Sequence, residues 1–297
     1  MKPRTNKRRS HGKPRHAATY APAPRSSSQH ARKSPLAGVL LVMLAGLLFV
    51  GTLVGLGQCT APESAPKNAE YVSPYDWSSL ERTGDRLAYR PGGSLKSQVG
   101  VDVSDHQGFI DWNAVAADGI DFAFVRIGNR GYTQGGLSAD ARFDENVRGA
   151  QAAGLQTGAY FFSQAVNAAE AVEEAEFVLA QLNGRALELP VAFDHEPVAD
   201  PNGRANNLDK GTLTAAAIAF CERLEAAGYK TMIYGNNGDM TRYDRAALGN
   251  RPIWFAEYDA AVPRARFDFA LWQYTNGGTV AGISTSVDLN LRMTEAL

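Results

Sequence analysis

From residue 99 onward the chain alternates short apolar runs with longer stretches of helical spacing. The apolar runs fall at 100–103, 122–127, 156–162, 189–194, 231–234, 253–256, 270–274 and 287–289. Helical patterns occupy 112–117, 139–153, 165–182, 211–227 and 239–247. Each is followed by a glycine, Gly119, Gly154, Gly184, Gly228 or Gly249, that can stop a helix. Apolar strands alternating with helices need cover on both faces and predict a parallel sheet. About eight such strands predict an α/β fold, an irregular TIM-like β/α barrel. Irregularity is expected at the end, because the last three strands leave little room for helices. A doubly wound open sheet is the alternative. It places its ligand by a Gly-rich turn after the first strand, and 100–108 carries no phosphate-binding pattern.

The chain ahead of this unit has a different character. Residues 1–34 carry ten Lys or Arg and no Asp or Glu, with much Ser, Pro and His. Such a composition cannot bury a core and predicts a disordered tail. Residues 35–57 include an uncharged run over 36–57. At about 1.5 Å per residue it spans a hydrocarbon layer of about 30 Å, so a single transmembrane helix is predicted. A buried helix that long would show a polar stripe. A cleaved signal peptide, with its apolar region of about 7–15 residues, is one alternative. A lipoprotein site at Cys59 is another, against which Gln58 stands where a small residue is expected.

The positive-inside rule places the tail in the cytoplasm and everything after the span outside the cell membrane. Residues 58–98, rich in Pro, Ser, Gly and charge, are expected as an extracytoplasmic stalk, and 99–297 as the folded domain. With the ten cations taken from a net charge of −1, residues 35–297 stand at −11, which excludes non-specific nucleic-acid binding by the exported part. Topogenesis and attraction to anionic lipid account for the basic tail. The only cysteines are Cys59 and Cys221, and no disulfide between them is expected. A monomer is expected.

Catalytic groups of β/α barrels sit at the C-terminal ends of the strands. Here those ends carry Asp102, Ser104 and Asp105, then Tyr160 and Phe162, then Asp194 and Glu196. Next come Tyr234, Glu257 and Tyr258, Gln273 and Tyr274, and finally Asp288 and Asn290. In Asp194-His195-Glu196 the two carboxylates face one way and His195 the other, because strand side chains alternate. Carboxylates on one face repel, which raises the pKa of one of them. Glycoside hydrolysis needs such a pair, a proton donor and a negative charge beside an oxocarbenium-like centre. Asp102 and Asp288 lie inside apolar strands, where an unpaired charge is costly. Aromatic faces stack on sugars, so acids and aromatics on one rim suggest a carbohydrate cleft. Singly, Tyr160, Phe162, Tyr234 and Tyr258 also suit packing, His106 and His195 suit structural roles, and Glu257 suits a rim ion pair.

The ordered series of residues adds to this reading. Val99-Gly100-Val101-Asp102-Val103-Ser104, Gln107-Gly108 and Ile110-Asp111-Trp112 resemble the opening of the family 25 glycoside hydrolases, the Chalaropsis-type lysozymes. The likeness continues through Phe124-Val125-Arg126, Asp144, Asn146, Gly149-Ala150, Ala153-Gly154-Leu155 and Gly158-Ala159-Tyr160-Phe161-Phe162. It runs on through Leu189-Pro190-Val191, Asp194, Glu196, Trp254-Phe255-Ala256 and Tyr258, then Leu271-Trp272-Gln273-Tyr274, Gly282-Ile283 and Val287-Asp288-Leu289-Asn290. The resemblance implies a barrel of five β/α units and three further strands. It implies cleavage of the β-1,4 bond between N-acetylmuramic acid and N-acetylglucosamine in peptidoglycan. It makes Glu196 the general acid, gives Asp194 a role at the anomeric centre, and places Asp102 and Asp288 in the cleft. One departure stands out: many members carry Thr-Glu-Gly after the second strand, where this chain has Gly128-Asn129-Arg130-Gly131-Tyr132.

The expected function is therefore a membrane-anchored peptidoglycan hydrolase with Glu196, Asp194, Asp102 and Asp288 as catalytic residues. Tyr160, Phe162, Tyr234, Tyr258, Gln273 and Asn290 are the expected substrate contacts, with glycan strands and the lipid bilayer as partners. No cofactor or metal is called for. The route is either substrate-assisted, through the 2-acetamido oxygen, or a direct inverting attack by water. Two rival functions are a metal-dependent deacetylase using Asp105, His106, Asp194, His195 and Glu196, and a wall-binding module without catalysis.

Overall fold

The computed structural model describes residues 71–294. In chain order come β1 (Leu80–Thr83), β2 (Arg86–Tyr89), β3 (Ser97–Val103), α1 (Trp112–Ala117), β4 (Phe122–Arg130), β5 (Leu137–Ala139), α2 (Phe143–Ala152) and β6 (Gln156–Phe162). There follow α3 (Ala168–Leu182), β7 (Val191–Asp194), α4 (Lys210–Glu225), β8 (Thr231–Gly235), α5 (Asn237–Thr241), β9 (Ile253–Ala256), β10 (Leu271–Gly278) and β11 (Val287–Met293). Eight strands close on themselves in the order β3-β4-β6-β7-β8-β9-β10-β11, with β11 pairing back to β3. Neighbours are parallel from β3 through β10, while β11 runs antiparallel to both β10 and β3. Closure removes the open-sheet alternative, and the antiparallel strand is the irregularity that the short final connections imply.

Local chemistry explains the helix starts. Asp111, Asn167, Asp209 and Asn236 each accept backbone N–H bonds at the head of α1, α3, α4 and α5. Three helices are shorter than the spacing suggests. Residues 137–139 form β5 against the outer end of β4, α3 starts at Ala168, and α5 ends at Thr241.

The barrel interior is filled by aromatic rings set against glycines. Phe122 and Phe124 of β4 point inward, and their register partners on either side are Gly100 of β3 and Gly158 of β6. A Cβ on Gly100 would lie 2.2 Å from the Phe122 ring, and one on Gly158 would lie 2.5 Å from Phe124. These glycines are therefore required by space rather than by backbone angle. Trp254 closes over the rings, 4.6 Å from Phe124 and 5.0 Å from Tyr234 between centroids. A second apolar layer lies between the barrel and its cover, formed by outward residues such as Val101, Val125, Phe161, Phe193, Trp272 and Leu289.

The stalk expected over 58–98 is corrected by the structure from Tyr71 onward. Residues 71–97 pack on the barrel, with Leu87 and Tyr89 buried. Trp77 stacks on Phe269 at 5.9 Å and meets Trp272 edge-on. The β1–β2 hairpin is pinned by Arg86 to Asp118 at 2.6 Å and by the Tyr274 hydroxyl, which donates to the Asp85 carbonyl at 2.9 Å. The reason is geometric: a parallel β/α unit brings its own covering helix, whereas β10 and β11 are followed by none. The outward face of those strands, including Trp272, Tyr274, Leu289 and Leu291, is apolar and needs cover. The N-terminal hairpin packs against that face in place of the missing helices.

The predicted tail over 1–34, the predicted span over 35–57, Cys59 and residues 58–70 lie outside the described residues. Among the described residues no helix is long and apolar enough to cross a membrane. Cys221 is buried in α4.

Candidate active site

The C-terminal ends of the strands open into a cleft of about 230 Å³. Asp102, Asp194, Glu196 and Asp288 all line it, as do Tyr160, Phe162, Tyr234, Tyr258 and Gln273. Barrel register brings them to one level. Asp288 pairs across strands with Asp102, Phe162 with Asp194, and Asp194 with Tyr234. A larger cavity of about 1120 Å³ lies among the opposite strand ends, by Pro190, Thr231, Ile253 and Ala270, and none of the four acids reaches it.

Asp102 is held by a chain of bonds. Its Oδ2 accepts from Gln273 Nε2 at 2.8 Å and from Asn290 Nδ2 at 2.7 Å. Gln273 Oε1 in turn accepts from the Tyr234 hydroxyl at 2.7 Å and the Tyr258 hydroxyl at 2.9 Å. Asn290 Oδ1 accepts from Trp254 Nε1 at 2.8 Å. Asn290 is therefore not a cleft residue, contrary to expectation. It shares the inward face of β11 with Asp288 but sits one rung deeper, fully buried, and its partners are Asp102 and Trp254.

Asp194 ends β7 and Glu196 follows two residues on, their carboxyls within hydrogen-bonding reach of each other. His195 turns away. It is fully buried, lies over Phe193, and has Nδ1 3.3 Å from the Arg242 guanidinium. Burial and the Arg242 charge push its pKa down to about 4. A metal set combining His195 with its two neighbours is therefore not assembled. Asp105 is instead tied to Arg126 at 2.6 Å, and His106 is largely exposed. Among the described residues no three His, Cys, Asp or Glu are grouped to hold a metal ion. Glu257 pairs with Arg264 at 2.6 Å on the rim.

The cleft raises the pKa of every acid in it. Burial, the charge of Glu196 and the charge of Asp102 hold Asp194 well above the carboxylate range. Burial and the nearby Asp239 charge push Glu196 up to about 7. Burial lifts Asp288 to about 8, helped by the Asp102 charge opposite. Burial lifts Asp102 to about 6 against the two amide bonds that favour its charged form. Asp102 remains the most acidic of those with a stated value, its charge helping to hold protons on Asp194 and Asp288, and Asp194 with Glu196 can hold and release one between them.

Three residues join the site that strand-end reading did not select. Arg126 lines the cleft as its only cation among the described residues, paired with Asp105 and with buried Asp140. Its signal was present, since Phe122, Phe124 and Arg126 share one face of β4. Trp254 lines the cleft floor through the same alternation on β9. Asp239, at the head of α5, acts on Glu196 through its charge, and no spacing in the sequence links the two.

Comparison with known proteins agrees with this geometry. Residues 101–283 match the family model described as glycosyl hydrolases family 25. The chain is 29% identical over 204 residues to lysozyme M1 of Streptomyces globisporus, covering 64% of this chain and 66% of that protein. It is 26% identical over 191 residues to the autolytic lysozyme of Clostridium acetobutylicum, covering 64% of this chain and 54% of that one. The matched region thus spans between about half and two thirds of these relatives. The spore cortex lytic enzyme SleM of Clostridium perfringens superposes with a TM-score of 0.57 at 25% identity, covering 66% of this chain and 67% of the other. With the family model matched along most of the barrel and the four acids gathered at its rim, this chain belongs to the glycosyl hydrolases family 25.

Proposed function

We propose that the chain is a lysozyme that hydrolyses the β-1,4 bond between N-acetylmuramic acid and N-acetylglucosamine in peptidoglycan. The observation that carries this reading is Glu196. It is an acid beside a second carboxyl in a cleft rimmed by aromatics, with its pKa raised to about 7 so that it is protonated up to neutrality. Glu196 gives its proton to the glycosidic oxygen as the bond from the anomeric carbon to that oxygen breaks. The substrate's 2-acetamido oxygen attacks the same carbon from the opposite face, and Asp194 accepts the acetamido N–H. Asp194 Oδ1 suits that task, being buried without a partner among the described residues. Glu196, now a carboxylate, takes a proton from water, and the water oxygen opens the cyclic intermediate. A direct attack by water would invert the anomeric centre, so the anomer released first, read by NMR, separates the routes. Tyr160, Phe162, Tyr234 and Tyr258 supply the ring surfaces against which sugars pack.

Clearing of a cell-wall suspension, with new muramic acid reducing ends, is the expected activity, and it should survive a chelator. Clearing abolished by chelator would favour the deacetylase-like chemistry. Tight binding to walls without new reducing ends would favour the binding module.

We further propose that residues 36–57 anchor the protein, with the ten cations before residue 35 in the cytoplasm and the barrel outside. Peptidoglycan is reached only from that side. Protease added to spheroplasts should remove the barrel and leave a small membrane-bound fragment. A protected barrel would reverse the orientation and take the substrate out of reach.

A further inference from the structure

The segment Asp194-His195-Glu196 leaves the sheet at its last backbone rung, and a buried side chain takes over where the ladder stops. The Ser163 N–H donates to the Asp194 carbonyl at 2.7 Å. At the next rung no backbone donor follows. Instead Gln164 Nε2 donates to the Glu196 carbonyl at 2.9 Å and to the Ser163 carbonyl at 2.9 Å. The amide orientation is fixed, since the reverse would set its oxygen against two carbonyl oxygens.

Gln164 is itself held from three sides and has no exposure to solvent. Its backbone N–H donates to Glu174 Oε1 at 3.3 Å, and its carbonyl accepts from Arg204 at 3.2 Å. Glu174 Oε2 accepts from the Ser163 hydroxyl at 2.6 Å. Arg130 Nε donates to Glu174 Oε1 at 2.8 Å, and both side chains of that ion pair are almost wholly buried. Arg130 belongs to the stretch that departs from the common family pattern. Its guanidinium faces inward to Glu174 and to the carbonyls of Gly135 and Glu170 rather than into the cleft.

We propose that Gln164 is a positioning residue for Glu196, and that the Arg130–Glu174 pair acts through Ser163 and Gln164 to fix where the Glu196 carboxyl stands. This rests on the reading of Glu196 as the general acid. The cost of losing it follows from geometry: misplacing a reacting group by about 1 Å costs on the order of 10²-fold in rate.

The test uses Gln164→Met, which keeps length and apolar volume and removes both donors. The expected result is a fall in kcat of about 10–100-fold with KM little changed. The alkaline limb of the kcat–pH profile should also move to lower pH, because a Glu196 freed from its buried place beside Asp194 titrates nearer an ordinary carboxyl. A purely structural loss would scale activity down equally at every pH and leave the limb in place. A second variant, Arg130→Met with Glu174→Met, removes the ion pair as a pair. It also takes partners from the Ser163 hydroxyl, the Gln164 N–H and the carbonyls of Gly135 and Glu170, so its Tm should fall, and while folded it should show the same kcat loss and limb shift. Wild-type kcat and limb in either folded variant overturn the proposal. So does failure of both to fold, because the network would then serve the fold alone. Glu196→Gln in the same assay keeps the two readings apart. If it is active, the general-acid reading fails; if it is inactive while Gln164→Met is normal, only the positioning role fails.

Discussion

Glu196→Gln is expected to retain the barrel and lose wall hydrolysis by about 10²–10⁴-fold, the usual contribution of a general acid. The amide matches the carboxylic acid in shape and can still donate a hydrogen bond, but it cannot deliver a proton to the leaving oxygen. Its neighbour gains nothing to replace it. Asp194 is buried and crowded, and its proposed partner is the substrate's acetamido group rather than the glycosidic oxygen. The pH dependence of the unaltered protein carries the same logic. Glu196 titrates at about 7 and acts while protonated, so activity should fall as pH rises through that value. Turbidity clearing from pH 5 to 9, with circular dichroism on the variant, measures both. A folded Glu196→Gln protein that clears walls at near the normal rate would remove Glu196 from the role.

The largest effect on stability is expected from removing residues 71–97. A chain beginning at Tyr71 should unfold cooperatively, whereas one beginning at Gln98 should lack a cooperative transition or lose most of its stability. The deletion strips Leu87, Tyr89, Trp77 and Tyr75 from the outer face of the barrel. At about 1.5–3 kcal/mol for each large apolar side chain, the loss is on the order of 5–10 kcal/mol. That is comparable with the whole stability of an ordinary domain, about 5–15 kcal/mol. It would also leave Trp272 and Tyr274 facing water, an invitation to aggregate. Thermal unfolding of the two chains decides the matter, and equal Tm values would return residues 71–97 to the status of a stalk.

The barrel strands could be read from the sequence because each is a short apolar run, most carry a polar end, and the five helical patterns between them stop at glycines. Period-two alternation correctly put Asp194 and Glu196 in the cleft and His195 behind it. Alternation gives a face but not a depth, which is why it sets Asn290 in the cleft when the residue lies one rung below. The N-terminal hairpin was hidden for a different reason. Tyr75, Trp77, Leu87 and Tyr89 are scattered among Pro, Ser, Gly and charged residues, and their burial depends on an uncovered face of strands far along the chain. Helix α3 loses its expected first residues because Asn167 caps it, while the Ala165 N–H bonds to the Ser163 hydroxyl and the Val166 N–H to the Glu170 carboxylate.

The barrel is sealed by its first and last strands, β3 and β11, and Asp102 faces Asp288 across that seam. A nascent chain leaves the ribosome with β3 early and β11 late, so the seam is the last part of the ring to form. Until then Asp102 lacks the amide of Asn290, and the cleft has no wall on that side. The cleft that gathers the four acids is therefore complete only when β11 seats against β3.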